Sequence, residues 1–314
     1  MAQIAVIGAA NVDIGGFPSH RPLAGDSTPG RVRLSPGGVG HNIACGAAAL
    51  GLEVELVTAL GADRYAEWIE RDCAGKGVGL RHALRLEDAY TSTYLFIADE
   101  RGDMLLAVND MTIHDRMTSE RLAPLIGALN DMDVIALDAN LPADTLTYLA
   151  EVLRPPLIAD CVSAAKADRL AGALPRLAAL KPNRIEAQLL TGIEIDGEAS
   201  ARRAVEALLA RGAKQVYLTL GEDGVCCGSA DEGIFLLPCR PVRLLNATGA
   251  GDAFTAALVW ARARGLGLVD SARAGMAAAS IALESGHTVS PALNESALIQ
   301  RISEQGNGGF TERA

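Results

Sequence analysis

The segment Asn246-Ala-Thr-Gly-Ala-Gly-Asp252, followed at once by the amphipathic run Ala253–Arg264, carries the clearest chemistry in this chain. Glycines ahead of a helix leave backbone N–H groups free at its positive end, and that makes an anion site suited to a phosphate. Asp252 falls on the first turn of the helix, beside that site. A carboxylate there works against simple anion binding. It makes sense if it takes a proton from a hydroxyl that attacks phosphorus. The bland alternative is a capped helix whose Asp merely favours the N-terminal dipole.

Four further stretches have residue types that suit such chemistry. Pro36-Gly-Gly-Val-Gly-His-Asn42 leads into a helix and is either a tight turn or backbone that approaches a polyol, with Asn42 giving and accepting hydrogen bonds. Asn11 and Asp13 follow the first strand, where α/β sheets place ligands, and Asp13 can accept two sugar hydroxyls; Asn-Val-Asp is also ordinary turn chemistry. In Lys181-Pro-Asn-Arg-Ile-Glu186, Asn183 and Glu186 share a helix face. They form either an N-cap box or a Mg²⁺ site reached through water. Thr219-Leu-Gly-Glu-Asp-Gly224 is a strand end with a glycine turn, a candidate floor for a nucleotide pocket. Neither a P-loop nor a complete G-x-G-x-x-G is present.

The elements that must position these residues follow from apolar periodicity. Ile4–Ile7, Glu53–Ala59, Val134–Leu137, Leu157–Ala159, Ala179–Leu180 and Val216–Leu220 read as short buried strands. Helical runs such as His41–Gly51 and Ala199–Arg211 lie between them, which is the pattern of a mostly parallel sheet covered on both faces. Two stretches break the alternation. Gly15–Leu34 is rich in Pro, Gly and polar residues, and Thr91–Asp110 reads as a hairpin, TSTYLFIA–DERGD–MLLAV. Together they predict a small separate β-sheet, residues 11–35 and 91–111, lying as a lid over a main domain of residues 1–10, 36–90 and 112–305. The Gly-rich tail, 306–314, is expected to fray.

With 314 residues, 49% of them hydrophobic, the chain can bury a full core. A net charge of −10 without a basic stripe argues against nucleic-acid binding. The six cysteines have no metal-ligand spacing and read as small buried residues in a reducing, cytoplasmic compartment. No apolar stretch reaches membrane length.

GGVGHN (37–42), KPNRIE (181–186), TLGEDG (219–224) and ATGAGD (247–252), in this order, resemble the ribokinase-like, or PfkB, family of carbohydrate and nucleoside kinases, over about Ile4 to Ser290. Within the family, Asp26–Asn42, Thr91–Leu95, Ala107–Met111 and Asp160–Lys166 are most similar to the pseudouridine kinases. The resemblance implies a ribokinase-like doubly wound α/β fold, a β lid that often pairs two subunits into a homodimer, ATP with Mg²⁺, and phosphorylation of a ribosyl 5′-hydroxyl. It implies Asp252 as general base, with Gly249, Ala250 and Gly251 supplying N–H groups to the transferred phosphoryl. Asn183 and Glu186 would organise Mg²⁺ and its waters, and Thr219, Gly221 and Gly224 would line the ATP site. Asn11, Asp13, Gly38, Asn42 and Asn140 would hold the sugar. On the lid, Asn109 and Asp110 offer groups to read a uracil edge, and Tyr94 or Phe96 either stacks on the ring or belongs to the strand core. Two positions depart from the family. Asn246 stands where an Asp usually helps to bind K⁺, so potassium activation is in doubt. Val39 stands where ribokinases often carry a phosphate-binding lysine, and Lys166 is either a substitute cation or a solvated surface lysine.

Overall fold

The computed structural model describes residues 1–23, 25–99 and 104–305. The tail 306–314 and most of the DERGD turn lie outside them. In chain order the strands are β1 (Gln3–Ile7), β2 (Asn11–Pro18), β3 (Gly30–Gly37), β4 (Glu53–Val57), β5 (Ala59–Gly61), β6 (Val78–Gly79), β7 (Leu84–Leu86) and β8 (Thr93–Ala98). They continue as β9 (Met104–Asp110), β10 (Val134–Asp138), β11 (Leu157–Asp160), β12 (Leu177–Lys181), β13 (Gln215–Thr219), β14 (Val225–Ser229) and β15 (Gly233–Leu237).

Nine strands form one sheet in the order β15-β14-β13-β12-β11-β10-β1-β4-β6, and four form a second in the order β3-β2-β8-β9. Pairing from β6 across to β13 is parallel, while β14 and β15 add an antiparallel edge. The central strands are apolar apart from their end residues because helices cover both of their faces. Alternate residues of β1 show this: Ile4 and Val6 join one core, and Ala5 and Ile7 the other. The first core lies under the helices Val39–Ala49, Ala250–Ala263 and Leu268–Leu283, and the second under Ala143–Val152 and Glu198–Ala210. The doubly wound, mostly parallel architecture expected from the sequence is thus the one observed, with the small second sheet beside it.

One predicted strand is really two. Glu53–Ala59 splits at Thr58, a buried residue whose hydroxyl accepts a hydrogen bond from the Ala10 N–H at 3.1 Å. The chain before it joins the large sheet as β4, and the chain after it turns away to pair with β7. A run of apolar residues shows that a strand exists but not which sheet it joins.

The four-stranded sheet has two unlike faces because β residues alternate sides. Its register puts Ser35, Asp13, Tyr94 and Asn109 in one transverse row. The next row, Leu34, Ile14, Leu95 and Val108, points the other way. That second face is apolar and open: Val32, Leu34, Leu95, Ile97, Leu106 and Val108 are all exposed.

Candidate active site

The parallel strands end in polar residues on one side of the large sheet, where open α/β sheets bind ligands. Asp138, Asp160 and Lys181 are the last residues of β10, β11 and β12, and register aligns them in a single row. The Lys181 ammonium sits 2.8 Å from Asp160 Oδ2, and both side chains are almost fully buried. Burial opposes the lysine's charge, but Asp160, with help from Glu186 and Asp252, more than offsets it and holds the ammonium well above its usual range. Thr255 Oγ1 donates to the same Asp160 oxygen at 2.7 Å.

The Ala250–Ala263 helix points its N-terminus at this row. Its N-cap is Gly249, with φ 87°. A side chain there would take a strained left-handed backbone and overlap the Thr288 carbonyl oxygen, so glycine is required. A Cβ placed on Gly251 would lie 3.0 Å from Lys181 Nζ, so the buried ammonium stands directly against the glycine turn. The helix N-terminus and a lysine charge thus converge on one spot, where the Ala250 N–H makes a long, 3.5 Å hydrogen bond to Ala247 O.

Asp252 lies on that first turn and accepts a hydrogen bond from Asn42 Nδ2 at 2.8 Å. Desolvation by burial, then the Asp160 charge, push its pKa up to about 7, against the opposing pull of Asn42 and Lys181. A carboxyl poised near neutrality suits proton abstraction. Asn42 is delivered by the Val39–Ala49 helix, which starts at Gly38 with φ 99°. A Cβ at Gly38 would press on Ala9 O and Asn11 Oδ1, and one at Gly37 would overlap the Asp13 carboxylate. The glycine pair therefore lets the loops after β1 and β3 close on each other. Asn11 Nδ2 donates to Asp13 Oδ1 at 2.7 Å, and burial raises the Asp13 pKa.

The other residues singled out from the sequence fall on either side of this centre. Asn140 donates its backbone N–H to Asp138 Oδ1, and Lys166 Nζ reaches Asn140 Oδ1 at 2.5 Å. Lys166 is therefore not a solvated surface lysine; it is half-buried and bonded to a predicted sugar-side residue. On the opposite flank Asn183 and Thr219 face each other in a parallel bridge. Arg184 ties the two loops together by donating to Asp223 Oδ2 at 2.6 Å. Gly221 and Gly224 close the turn with a 3.2 Å hydrogen bond between Gly224 N–H and Gly221 O.

Asn183 and Glu186 form the reciprocal capping box: Asn183 Oδ1 accepts from Glu186 N–H, and Glu186 Oε2 from Asn183 N–H. The structural role weighed against a metal role for this pair is therefore filled. The buried Glu186 carboxylate is a hard oxygen donor close enough to Lys181 to favour its charge, which fits a magnesium ion bound through water. Asn246 Oδ1 accepts from Thr248 N–H at 2.9 Å, closing a local turn. In the four-stranded sheet, Asn109 shares its face with Asp13 and Tyr94, whereas Asp110 lies on the opposite face and its carboxylate accepts from the Thr112 hydroxyl. Tyr94 and Phe96 are half-buried, and Phe96 packs edge to face against Phe17 with the ring centroids 5.7 Å apart.

The chain matches the pfkB family of carbohydrate kinases over residues 1–295. It belongs to that family. It is 33% identical over 302 residues to a pseudouridine kinase of Escherichia coli (strain K12), covering 95% of this chain and 96% of the relative. Among solved structures, a carbohydrate kinase from Agrobacterium tumefaciens superposes with TM-score 0.85 at 30% identity, covering 96% of this chain and 97% of the other. An Arabidopsis thaliana ribokinase complexed with ribose and ATP superposes with TM-score 0.83 at 22% identity, covering 96% and 99%. As a pfkB-family member the chain is a sugar or nucleoside kinase, a phosphotransferase acting on hydroxyl groups.

Sequence reasoning overlooked three residues that this kinase brings to the centre: Asp138, Asp160 and Lys181. The signal was present, since each is a charged residue ending an apolar strand, in VIALD, LIAD and LAALK. A charge at the carboxyl end of a buried parallel strand is costly unless it is paired or used. Five of the six cysteines are buried and none is in a disulfide, but Cys45 departs from the expectation of no metal-ligand arrangement, since its thiol stands with His41 and Asp72 with ligand atoms within 4.8 Å of one another. Among the described residues no helix is long and apolar enough to cross a membrane.

Proposed function

We propose that this pfkB-family kinase transfers the γ-phosphoryl group of ATP to the 5′-hydroxyl of a ribosyl nucleoside, with pseudouridine as its preferred acceptor, in the cytoplasm. The observation that carries the reaction type is Asp252, poised near neutral pKa beside the Gly249–Gly251 turn and the Lys181 ammonium.

Asn11, Asp13 and Asn140 hold the sugar, and Asn183, Thr219, Gly221 and Gly224 line the nucleotide side. The acceptor oxygen forms a bond to phosphorus as the bond to the β-phosphate bridging oxygen breaks, and ADP leaves. Asp252 takes the hydroxyl proton. The Gly249, Ala250 and Gly251 N–H groups and Lys181 stabilise the charge on the transferred group. Magnesium, held through water near Asn183 and Glu186, would screen the ATP phosphates. The lid excludes water when it closes on the acceptor. Potassium is not assigned a role, because Asn246 brings no charge and its amide oxygen already closes a turn.

Base recognition falls to the lid. Asn109 stands two strands from Asp13 in one row, roughly 10 Å at the usual strand spacing, with Tyr94 between them. That span suits a sugar hydroxyl at one end and a base edge at the other, with the tyrosine as a stacking surface. Asn109→Ala is expected to lower kcat/KM for pseudouridine by about tenfold or more, and to leave ribose turnover nearly unchanged. Equal losses on both would remove Asn109 from base recognition.

The exposed apolar face of the same sheet supports a homodimer formed lid to lid. Sedimentation at micromolar concentration is expected to give twice the monomer mass, and the charged double variant Leu106→Glu/Val108→Glu the monomer mass. A monomeric parent would refute this pairing.

The direct test is ATP-dependent phosphorylation with Mg²⁺, comparing pseudouridine with uridine, ribose and adenosine at equal concentration. A large preference for pseudouridine supports the proposal. Preferential turnover of another acceptor keeps the kinase and discards the pseudouridine assignment.

A further inference from the structure

Behind the candidate active site a chain of hydrogen bonds runs out to the Arg64–Gly75 helix. Asp72 Oδ2 lies 2.8 Å from His41 Nε2, His41 Nδ1 lies 3.2 Å from Asn42 Oδ1, and Asn42 Nδ2 donates to Asp252 Oδ2 at 2.8 Å. We infer that His41, clamped by Asp72, is a positioning residue that locks the Asn42 amide with its NH2 end toward Asp252. The inference rests on the proposed role of Asp252 as base and deepens it.

An amide can turn over and exchange its donor and acceptor ends. The wrong orientation would put a carbonyl oxygen against the Asp252 carboxylate. A neutral imidazole has one N–H and one lone pair. With its N–H given to Asp72, its bare Nδ1 would attract the Asn42 NH2 group and turn the amide the wrong way. A ring that donates from both nitrogens permits only the observed arrangement, so the charge on a fully buried histidine decides which end of Asn42 meets the base.

The surroundings of the ring favour that charge. Burial works against it, but the Asp72 carboxylate, then Cys45 and Asn42, raise the His41 pKa to about 10. Other charged or titratable groups are near. Lys76 shares Asp72 Oδ2 at 2.6 Å, Cys73 faces Cys45, and Asp13 feels the imidazolium from β2. Asp252 in turn faces Asp160, Asp138 and Lys181 besides Asn42. Asp72 itself is partly exposed at the outer end of the chain of hydrogen bonds and lies outside the proposed substrate contacts.

The test is Asp72→Asn in the full chain, which removes the anion that holds the imidazolium and keeps the side-chain shape. Loss of the Asn42 donor makes an ionised Asp252 harder to form. The acid limb of kcat is therefore expected to move up by about one pH unit, about a tenfold loss of rate below the midpoint, while KM for ATP holds within about twofold. Asp72→Glu is expected to restore most of the rate. Two measurements do not depend on turnover. Ring ¹⁵N shifts of the parent at about pH 8 are expected to show both His41 nitrogens protonated. The Asp252 carboxyl ¹³C shift is expected to titrate at higher pH in Asp72→Asn than in the parent. A neutral His41 ring in the parent, or an unchanged Asp252 midpoint in folded Asp72→Asn, overturns the inference. If no acceptor is phosphorylated, the kinase reading fails alone, and the ring and carboxyl titrations still decide whether the histidine sets the amide.

Discussion

Replacing Asp252 with asparagine is expected to cut kcat by about 10²- to 10⁴-fold with modest change in KM. The amide fills the same space but cannot take the acceptor's proton, so the loss belongs to the transition state and not to binding. Asn42 Nδ2 now donates to Asp252 Oδ2, and an amide oxygen at residue 252 can still accept from it, so local geometry survives. In the parent, kcat should rise with pH through about 7 and then level, because burial and Asp160 hold the carboxyl protonated below that point and only the ionised form is a base. The linkage to stability has the opposite sense. Between the ordinary carboxyl range and about 7 the folded state holds the Asp252 proton more tightly than the unfolded chain, so ionisation destabilises the fold as pH rises. Asp252→Asn should therefore unfold no earlier than the parent at about pH 8. Turnover within a few-fold of the parent would remove Asp252 from the proton transfer. An intact fold with a collapsed rate is the outcome expected of a catalytic group held at some cost to stability.

Lys181→Met should instead destabilise the fold strongly. The Lys181–Asp160 pair is buried, and removing the ammonium strands the Asp160 carboxylate beside Asp138 and Asp252. Breaking a buried pair in this way costs about 3–5 kcal/mol, measured by denaturant unfolding. The double variant Lys181→Met/Asp160→Asn should recover most of that loss, because an asparagine still accepts from the Val162 N–H without the stranded charge. Recovered stability should not bring back the rate. The ammonium stands against Gly251, and losing a fixed cation beside the transferred phosphoryl is expected to leave kcat about 10²-fold or more below the parent. A single variant as stable as the parent would mean that the pair is solvated and not buried.

The glycine turn and its aspartate could be read from residue order because helix starts and left-handed turns depend on a few neighbouring residues. For the same reason the Asn183–Glu186 box was visible as a spacing of three, although its two readings were not separable without the hydrogen bonds. Other features needed pairing across the chain. The split of Glu53–Ala59 depends on Thr58 meeting Ala10, and the side of the four-stranded sheet on which Asn109 stands depends on its register with Tyr94 and Asp13. Asn109 and Asp110 look equivalent as neighbours in a sequence, yet a strand must send them to opposite faces, and only register tells which of them shares the face of Asp13.

Alone, the sequence determined a doubly wound sheet, a second small sheet, a glycine turn at Gly249–Gly251 that opens a helix with Asp252 on its first turn, and, through the order of four motifs, the family. These depend on periodicity, turn chemistry and helix polarity, which act over a few residues. Tertiary structure decided the row Asp138, Asp160 and Lys181, the reach of Asn42 to a carboxylate 210 positions away, and the hold of Asp72 and His41 on that amide. Those contacts depend on strand register and on which helix covers which face. The surrounding low dielectric then turns ordinary acidic, basic and amide side chains into a coupled site, and no local pattern reports that environment.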